Sequence, residues 1–145
     1  MKTRKSTERI FLKYPGFITL KELSWLLRTT KVCIKNWLGF YGQPKLKDFP
    51  QPIRRGKWLV WSIYEIEEFL GTEIEKKGNK VEAVEPLLTI RDIMRITGNA
   101  DSTIRLWIRE DGLEKVRVGQ KLIRVQKNEL ARFLDKRYEY GFNKV

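Results

Sequence analysis

The 145-residue sequence contains no histidine and a single cysteine, Cys33. One cysteine cannot form an intramolecular disulfide, and without histidine the usual Cys/His zinc sites and histidine-based catalysis are excluded. The acidic residues stand singly or in helical pairs, without the D-x-D clustering of carboxylate metal sites. The composition therefore predicts that the protein is not an enzyme and uses no cofactor.

Long apolar runs are also lacking. No stretch approaches the ~20 apolar residues of a membrane span, and the charged N-terminus has no apolar segment of signal-peptide length. These absences predict a cytoplasmic protein that does not enter the membrane.

Positive charge is abundant: 30 Lys and Arg residues against 18 Asp and Glu residues leave a net charge of +12. Residues 1–70 carry 14 basic and 6 acidic side chains, and residues 87–145 carry 13 and 8. The segment 71–86 between them has 3 basic and 4 acidic side chains. Two basic blocks flanking a near-neutral connector favour a polyanionic partner, nucleic acid before an acidic membrane surface.

The chain contains an internal repeat. Residues 19–38 align without a gap with residues 89–108, at an offset of 70 that places Thr19 on Thr89 and Trp37 on Trp107. Each copy predicts a helix, a short turn, a second helix, a β-hairpin and a closing helix. The predicted organisation is a basic N-terminal arm (1–16), a first module (17–70), a linker (71–86), a second module (87–140) and a tail (141–145).

The start of the second helix differs between the copies. Thr30 is a good N-cap in the first copy, because its side-chain oxygen can accept a hydrogen bond from the first turn. The second copy has Ala100 at this position. We therefore expect Asn99 or Asp101 to cap that helix instead.

Several motifs resemble one protein superfamily. In the second copy, LLTIRD (87–92), STIRLWI (102–108), VRVGQKLIRV (116–125) and ELARFL (129–134) resemble the excisionase-type members of the MerR superfamily. The first copy, with FPQPIRRG (49–56) and YEIEEFL (64–70), is similar to the AlpA-type prophage regulators of that superfamily. The insert LGFYGQPKLKD (38–48) departs from their pattern. The resemblance implies a mainly α fold with small β-hairpin wings, in two tandem winged helix-turn-helix domains.

The resemblance also implies a function. It suggests a sequence-specific regulator that binds double-stranded DNA, a repressor or activator of a phage or mobile element, associated with the nucleoid of a bacterial host. The two second helices differ in sequence, so we expect an asymmetric bipartite site. The alternatives are an excisionase-like or packaging-type architectural factor, and a protein-interaction module that keeps the fold. Trp25, Leu106 and the C-terminal helix are candidates for partner contact or self-association.

In winged helix-turn-helix proteins the second helix enters the major groove and the wing contacts the backbone. The DNA-binding candidates of the first copy are Thr30, Lys31, Val32, Lys35 and Asn36 on the helix, with Arg54, Arg55 and Lys57 on the wing. Those of the second copy are Ser102, Thr103, Arg105 and Arg109 on the helix, with Arg117, Gln120 and Lys121 on the wing. Asp101 opposes this scheme, because its charge repels phosphate unless it caps the helix or accepts a hydrogen bond from cytosine N4.

Overall fold

The computed structural model describes residues 6–119 and 121–142, with side chains as far as residue 137. Its helices are α1 (Leu20–Leu27), α2 (Lys31–Trp37), α3 (Ile63–Leu70), α4 (Ile90–Thr97), α5 (Asp101–Arg109) and α6 (Lys127–Phe142). Its strands are β1 (Ile10–Phe11), β2 (Phe17–Thr19), β3 (Ile53–Arg55), β4 (Trp58–Ser62), β5 (Lys76–Lys77), β6 (Ala83–Val84), β7 (Val116–Val118) and β8 (Leu122–Arg124). None of the described helices has the length and apolar character needed to cross a membrane.

The predicted order of helix, helix, hairpin and helix occurs in both copies. In the first copy β3 and β4 form the hairpin, and β2 adds to it so that Ile18 lies opposite Trp61. In the second copy β7 pairs with β8, and Leu88 forms an isolated antiparallel bridge with Val125. In each copy, antiparallel pairing therefore joins the residue before the threonine N-cap of the first helix to the end of the hairpin.

The fold class is mixed, not mainly α. Helices hold well under half of the residues that the structure describes, and the strands form small antiparallel sheets. One three-stranded sheet, in the order β1-β6-β5, lies entirely outside the two predicted modules. The prediction of a mainly helical protein was wrong because it treated residues 1–16 and 71–86 as an arm and a linker without structure.

The segment 71–86 is an ordered β-hairpin. It supplies β5 and β6, and β6 also pairs with β1, with Val84 opposite Ile10. The side chains of Ile74, Val81 and Val84 are buried in the core of the first copy. Apolar side chains at these spacings show neither helical nor strict strand periodicity, so the sequence pattern hid them. Residues 1–5 of the arm and 143–145 of the tail lie outside the described residues.

Two hydrophobic cores organise the molecule. The second core lies within residues 87–140 and consists of Leu88, Ile93, Ile104, Trp107, Leu113, Val125, Leu130 and Phe133. The first core extends well beyond residues 17–70, because it includes Ile10 and Ile74 and also Val116 and Val118 from β7. A strand of the second copy is thus part of the core of the first.

Threonine side chains cap the first helix of each copy, whereas α5 has no side-chain cap. Thr19 and Thr89 each form a capping box, with Glu22 and Asp92 respectively. Ala100 is the N-cap residue of α5, and no side chain caps this helix, so the expectation for Asn99 or Asp101 was wrong. Their side chains have nearby partners instead: the Asn99 amide donates to the Thr97 carbonyl, and the Asp101 carboxylate accepts from Arg105.

Candidate nucleic-acid interface

Helix α2 presents a basic and partly apolar surface to solvent. The Thr30 side chain accepts a hydrogen bond from the Cys33 amide at 3.0 Å, so this predicted contact residue is the helix cap. Ile34 is buried, which directs the opposite side of the helix outward. Lys31 and Val32 are exposed, and Val32 retains 56% of its accessible surface. An exposed apolar side chain beside a lysine suits a surface that enters the major groove, where it can contact the methyl group of thymine.

Lys35 and Asn36 lie further along α2 and are half-exposed. Every charged residue of this helix is basic, because its sequence KVCIKNW has two lysines and no carboxylate. Trp37, the last residue of α2, packs edge-on against Phe49 with ring centroids 5.3 Å apart. The packing of Trp37 therefore holds the polar side of α2 in one orientation.

The hairpin of the first copy carries three predicted contact residues. Arg54, Arg55 and Lys57 are all exposed at or beside its turn, where Gly56 adopts a φ of 61°. The Arg55 guanidinium lies 4.4 Å from the centre of the Tyr14 ring. Lys57 lies 5.6 Å from the centre of the Trp58 ring. These cation–π contacts orient the two side chains while leaving them accessible.

The structure also decides which tryptophan of that hairpin faces inward. Trp61 is fully buried, and its indole N–H donates to the Pro50 carbonyl at 2.9 Å. Trp58 is half-exposed and forms a surface contact with Lys13, whose ammonium lies 5.1 Å from the ring centre. Residue alternation required one inward and one outward tryptophan without indicating which.

Helix α5 is less positive than α2. Ser102, Arg105 and Arg109 are exposed, and Thr103 is half-exposed. The Arg105 Nε donates to an Asp101 carboxylate oxygen at 2.6 Å, and the Arg109 Nε lies 3.5 Å from a Glu110 carboxylate oxygen. Each arginine of this face therefore has a carboxylate beside it, which weakens its attraction for phosphate.

The hairpin of the second copy lies beside α2 of the first. Arg117 and Lys121 are exposed on it, whereas Gln120 lies outside the described residues. A groove of about 640 Å³ separates this hairpin from α2. It is lined by the apolar side chains of Trp37, Leu46 and Leu122 and by the polar side chains of Asn36, Lys45 and Lys121.

A second groove, of about 320 Å³, lies on the side of the hairpin that faces α4 and α5. Its lining includes Arg91, Asp101, Arg105 and Arg124. Lys121 lines this groove as well as the first. Burial lowers the pKa of the Arg124 guanidinium, which nevertheless keeps its charge because arginine is protonated at any physiological pH.

Sequence reasoning missed four residues of the loop that follows α2. Lys45 and Lys47 line the larger groove, and Phe40 and Tyr41 are more than half exposed. The loop is held at its ends, where the Phe40 amide donates to the Lys35 carbonyl and the Leu46 amide to the Trp37 carbonyl. The sequence signal that could have identified them is the presence of two lysines and two aromatic residues in the insert 38–48.

The predicted partner-contact residues have different environments. Trp25 was expected to be exposed, but it is half-buried against the first core, with the Lys21 ammonium 5.1 Å from its ring centre. Leu106 is 37% exposed on α5, as expected. The side chains at the end of α6 lie beyond residue 137, outside the described part of the chain. Partner binding by any of them stays a prediction.

Within the described residues, no three His, Cys, Asp or Glu side chains are grouped so that they could hold a metal ion. No family model, curated protein or solved structure matches the chain.

Proposed function

We propose that the protein is a sequence-specific regulator that binds double-stranded DNA, with a winged helix-turn-helix module of the MerR superfamily in each copy. The observation that carries this proposal is the gathering of Lys31, Lys35, Lys45, Lys47 and Lys121 along α2 and its groove. A surface with several cations and no carboxylate on its central helix attracts phosphate. Val32 and Asn36 on that helix can contact a thymine methyl group and an adenine edge.

The two copies support an asymmetric, bipartite target. Helix α2 has two lysines and no carboxylate, which favours strong DNA contact, whereas the arginines of α5 each have a carboxylate neighbour. We propose that α2 supplies most of the affinity and that α5 adds sequence preference. Such a regulator of a phage or mobile element acts on the nucleoid, in the cytoplasm of a bacterial host.

An architectural role in excision or packaging is the second candidate, and one feature favours it. Phe40 and Tyr41 stand exposed between Gly39 and Gly42, both of positive φ, next to the lysines of the loop. Architectural proteins insert apolar side chains between base pairs and thereby kink the duplex. A circular-permutation mobility assay separates the two roles, since strong bending that is lost in Phe40→Ala/Tyr41→Ala supports the architectural one.

The proposed DNA binding is tested by selecting duplexes from a random pool and measuring their affinity by fluorescence anisotropy at two salt concentrations. Lys31→Ala/Lys35→Ala should lower affinity at least tenfold and reduce the slope of log K against log salt by about 0.9 per lost phosphate contact. The matched control is Lys77→Ala/Lys80→Ala, which removes two exposed lysines of the β5–β6 hairpin. No affinity for any duplex in dilute salt, or equal losses in the two variants, would overturn the proposal.

A further inference from the structure

The hairpin β7–β8 is packed against the first copy. Val116 and Val118 are buried in the first core, and Leu122 packs against the same core. At the turn, the backbone of Gly119 approaches α2 closely. A Cβ atom added to Gly119 would lie 3.8 Å from Cζ2 of Trp37 and 3.6 Å from Cδ2 of Leu46. The tip of this hairpin is therefore seated beside the helix that we propose to read DNA.

The far end of the hairpin is also anchored to the first copy. The guanidinium of Arg124 in β8 donates to the carbonyl of Leu27 at 2.9 Å and to the carbonyl of Arg28 at 2.8 Å. These carbonyls lie at the C-terminus of α1, where a helix leaves acceptors without intrahelical partners. The buried side chains of Val116 and Val118 and the two hydrogen bonds from Arg124 hold the hairpin in a defined position relative to α1 and α2.

The hairpin lies between the second helices of the two copies. Lys121 lines one groove together with Asn36 of α2 and the other together with Arg105 of α5. Packed layers lie about 10 Å apart, so two helices on either side of one hairpin are about 20 Å apart, whereas successive major grooves on one side of B-DNA are about 34 Å apart. Helices at that spacing do not reach successive major grooves in the usual manner of paired modules.

We propose that β7–β8 serves as the wing of α2, so that the two copies form one composite surface that reads a single contiguous stretch of duplex. In this arrangement α2 occupies the major groove, Lys121 contacts the adjoining phosphates, and Arg105 on the exposed face of α5 reaches the neighbouring base pairs. The bipartite target is then two abutting parts of one site and not two half-sites a helical turn apart. This inference rests on the proposed DNA binding.

The test is hydroxyl-radical footprinting of the full-length protein on a selected duplex, comparing Lys35→Ala with Lys121→Ala. The expected result is one continuous footprint of about one helical turn, and a roughly threefold to tenfold loss of affinity in Lys121→Ala. The backbone positions deprotected by the two substitutions should lie within about half a turn, or five base pairs, of each other. Circular dichroism checks that both variants are folded.

Lys57→Ala is the matched control, since it removes an exposed lysine from the hairpin of the first copy. If β3–β4 is the wing of α2, Lys57→Ala deprotects the positions next to those of Lys35→Ala, and Lys121→Ala deprotects positions about a turn away or none. That outcome, or two separate footprints, overturns the composite surface while leaving DNA binding intact. If no duplex binds at all, the proposed function itself fails.

Discussion

Arg28 at the end of α1 forms an ion pair with Asp92 in the first turn of α4, and this pair joins the two copies of the repeat. Arg28 adopts the left-handed conformation, with φ 57°, at the position where the second copy has Gly98. Asp92 is 1% exposed, and it also accepts from the Thr89 amide and from Arg95. The Arg28 side chain thus reaches a buried carboxylate of the other copy, which the glycine at the equivalent position cannot do.

We expect Asp92→Ala to destabilise the protein by about 3 kcal/mol, because it removes the carboxylate that accepts from the Thr89 amide in the capping box of α4 and leaves Arg28 without its ion-pair partner. Arg28→Gly should cost less, since glycine relieves about 1 kcal/mol of left-handed strain. Urea denaturation followed by circular dichroism measures both. Arg95→Ala is the control, because this exposed partner of Asp92 should contribute less than about 1 kcal/mol. Equal costs for Asp92→Ala and Arg95→Ala would show that the inter-copy pair contributes little.

Stability should decline in acid because of three carboxylates. Burial raises the pKa of Asp92, but hydrogen bonds from Thr89 and the charge of Arg28 outweigh it, so this pKa lies below its ordinary value of 3.8. Burial also raises the pKa of Glu85, but hydrogen bonds from Arg9 and Lys127 outweigh it, so this pKa lies below its ordinary value of 4.5. The hydrogen bond from Arg132 lowers the pKa of Glu129.

A lowered pKa in the folded state stabilises the protein above the pKa of the unfolded state, and this stabilisation is lost as the pH falls through the folded value. The free energy of unfolding should therefore stay nearly constant from about pH 5.5 to 7.5, where no histidine titrates, and fall below about pH 4.5. Denaturation curves over this range measure it. Asp92→Asn should have a shallower acid decline than the wild type, and an unchanged decline would exclude Asp92 as a source.

Two buried tryptophans should respond differently to the same substitution. The Trp61 indole N–H donates to the Pro50 carbonyl, whereas the Trp107 indole N–H has no hydrogen-bond acceptor within the described residues. Trp61→Phe should therefore cost about 1–3 kcal/mol more than Trp107→Phe, because it leaves a carbonyl unsatisfied in addition to the lost volume. Thermal or urea unfolding compares them. A larger cost for Trp107→Phe would contradict the hydrogen-bond explanation.

The segment 71–86 should exchange its amide hydrogens slowly. The Glu82 amide donates to the Lys77 carbonyl, the Glu85 amide to the Glu75 carbonyl and the Ile74 amide to the Glu67 carboxylate. Hydrogen-exchange mass spectrometry should show protection of peptides from 71–86 well above that of peptides from the exposed loop 41–45. Exchange of both at the rate of an unfolded chain would indicate a flexible linker after all.

Local patterns predicted the elements of each copy because their causes are local. The cap at Thr30, expected from its side-chain oxygen, depends on neighbouring residues alone, as do the capping boxes at Thr19 and Thr89. The lack of a side-chain cap at Ala100 escaped prediction, because Asp101 interacts with Arg105 one turn later on the same helix. The sequence allows Asp101 either to cap α5 or to pair with Arg105, and in the folded protein it pairs with Arg105.

The repeat, the charge excess and the basic character of α2 follow from the sequence alone, since they require only residue identity and spacing. The position of β7–β8 against the first core, the burial of 71–86 and the reach of Arg28 to Asp92 depend on the tertiary structure. Each of these brings together residues far apart in the chain, and apolar burial and buried charge pairing decide among many arrangements with the same local pattern. For this reason the sequence predicts two similar modules, and only their packing places the hairpin of one beside the helix of the other.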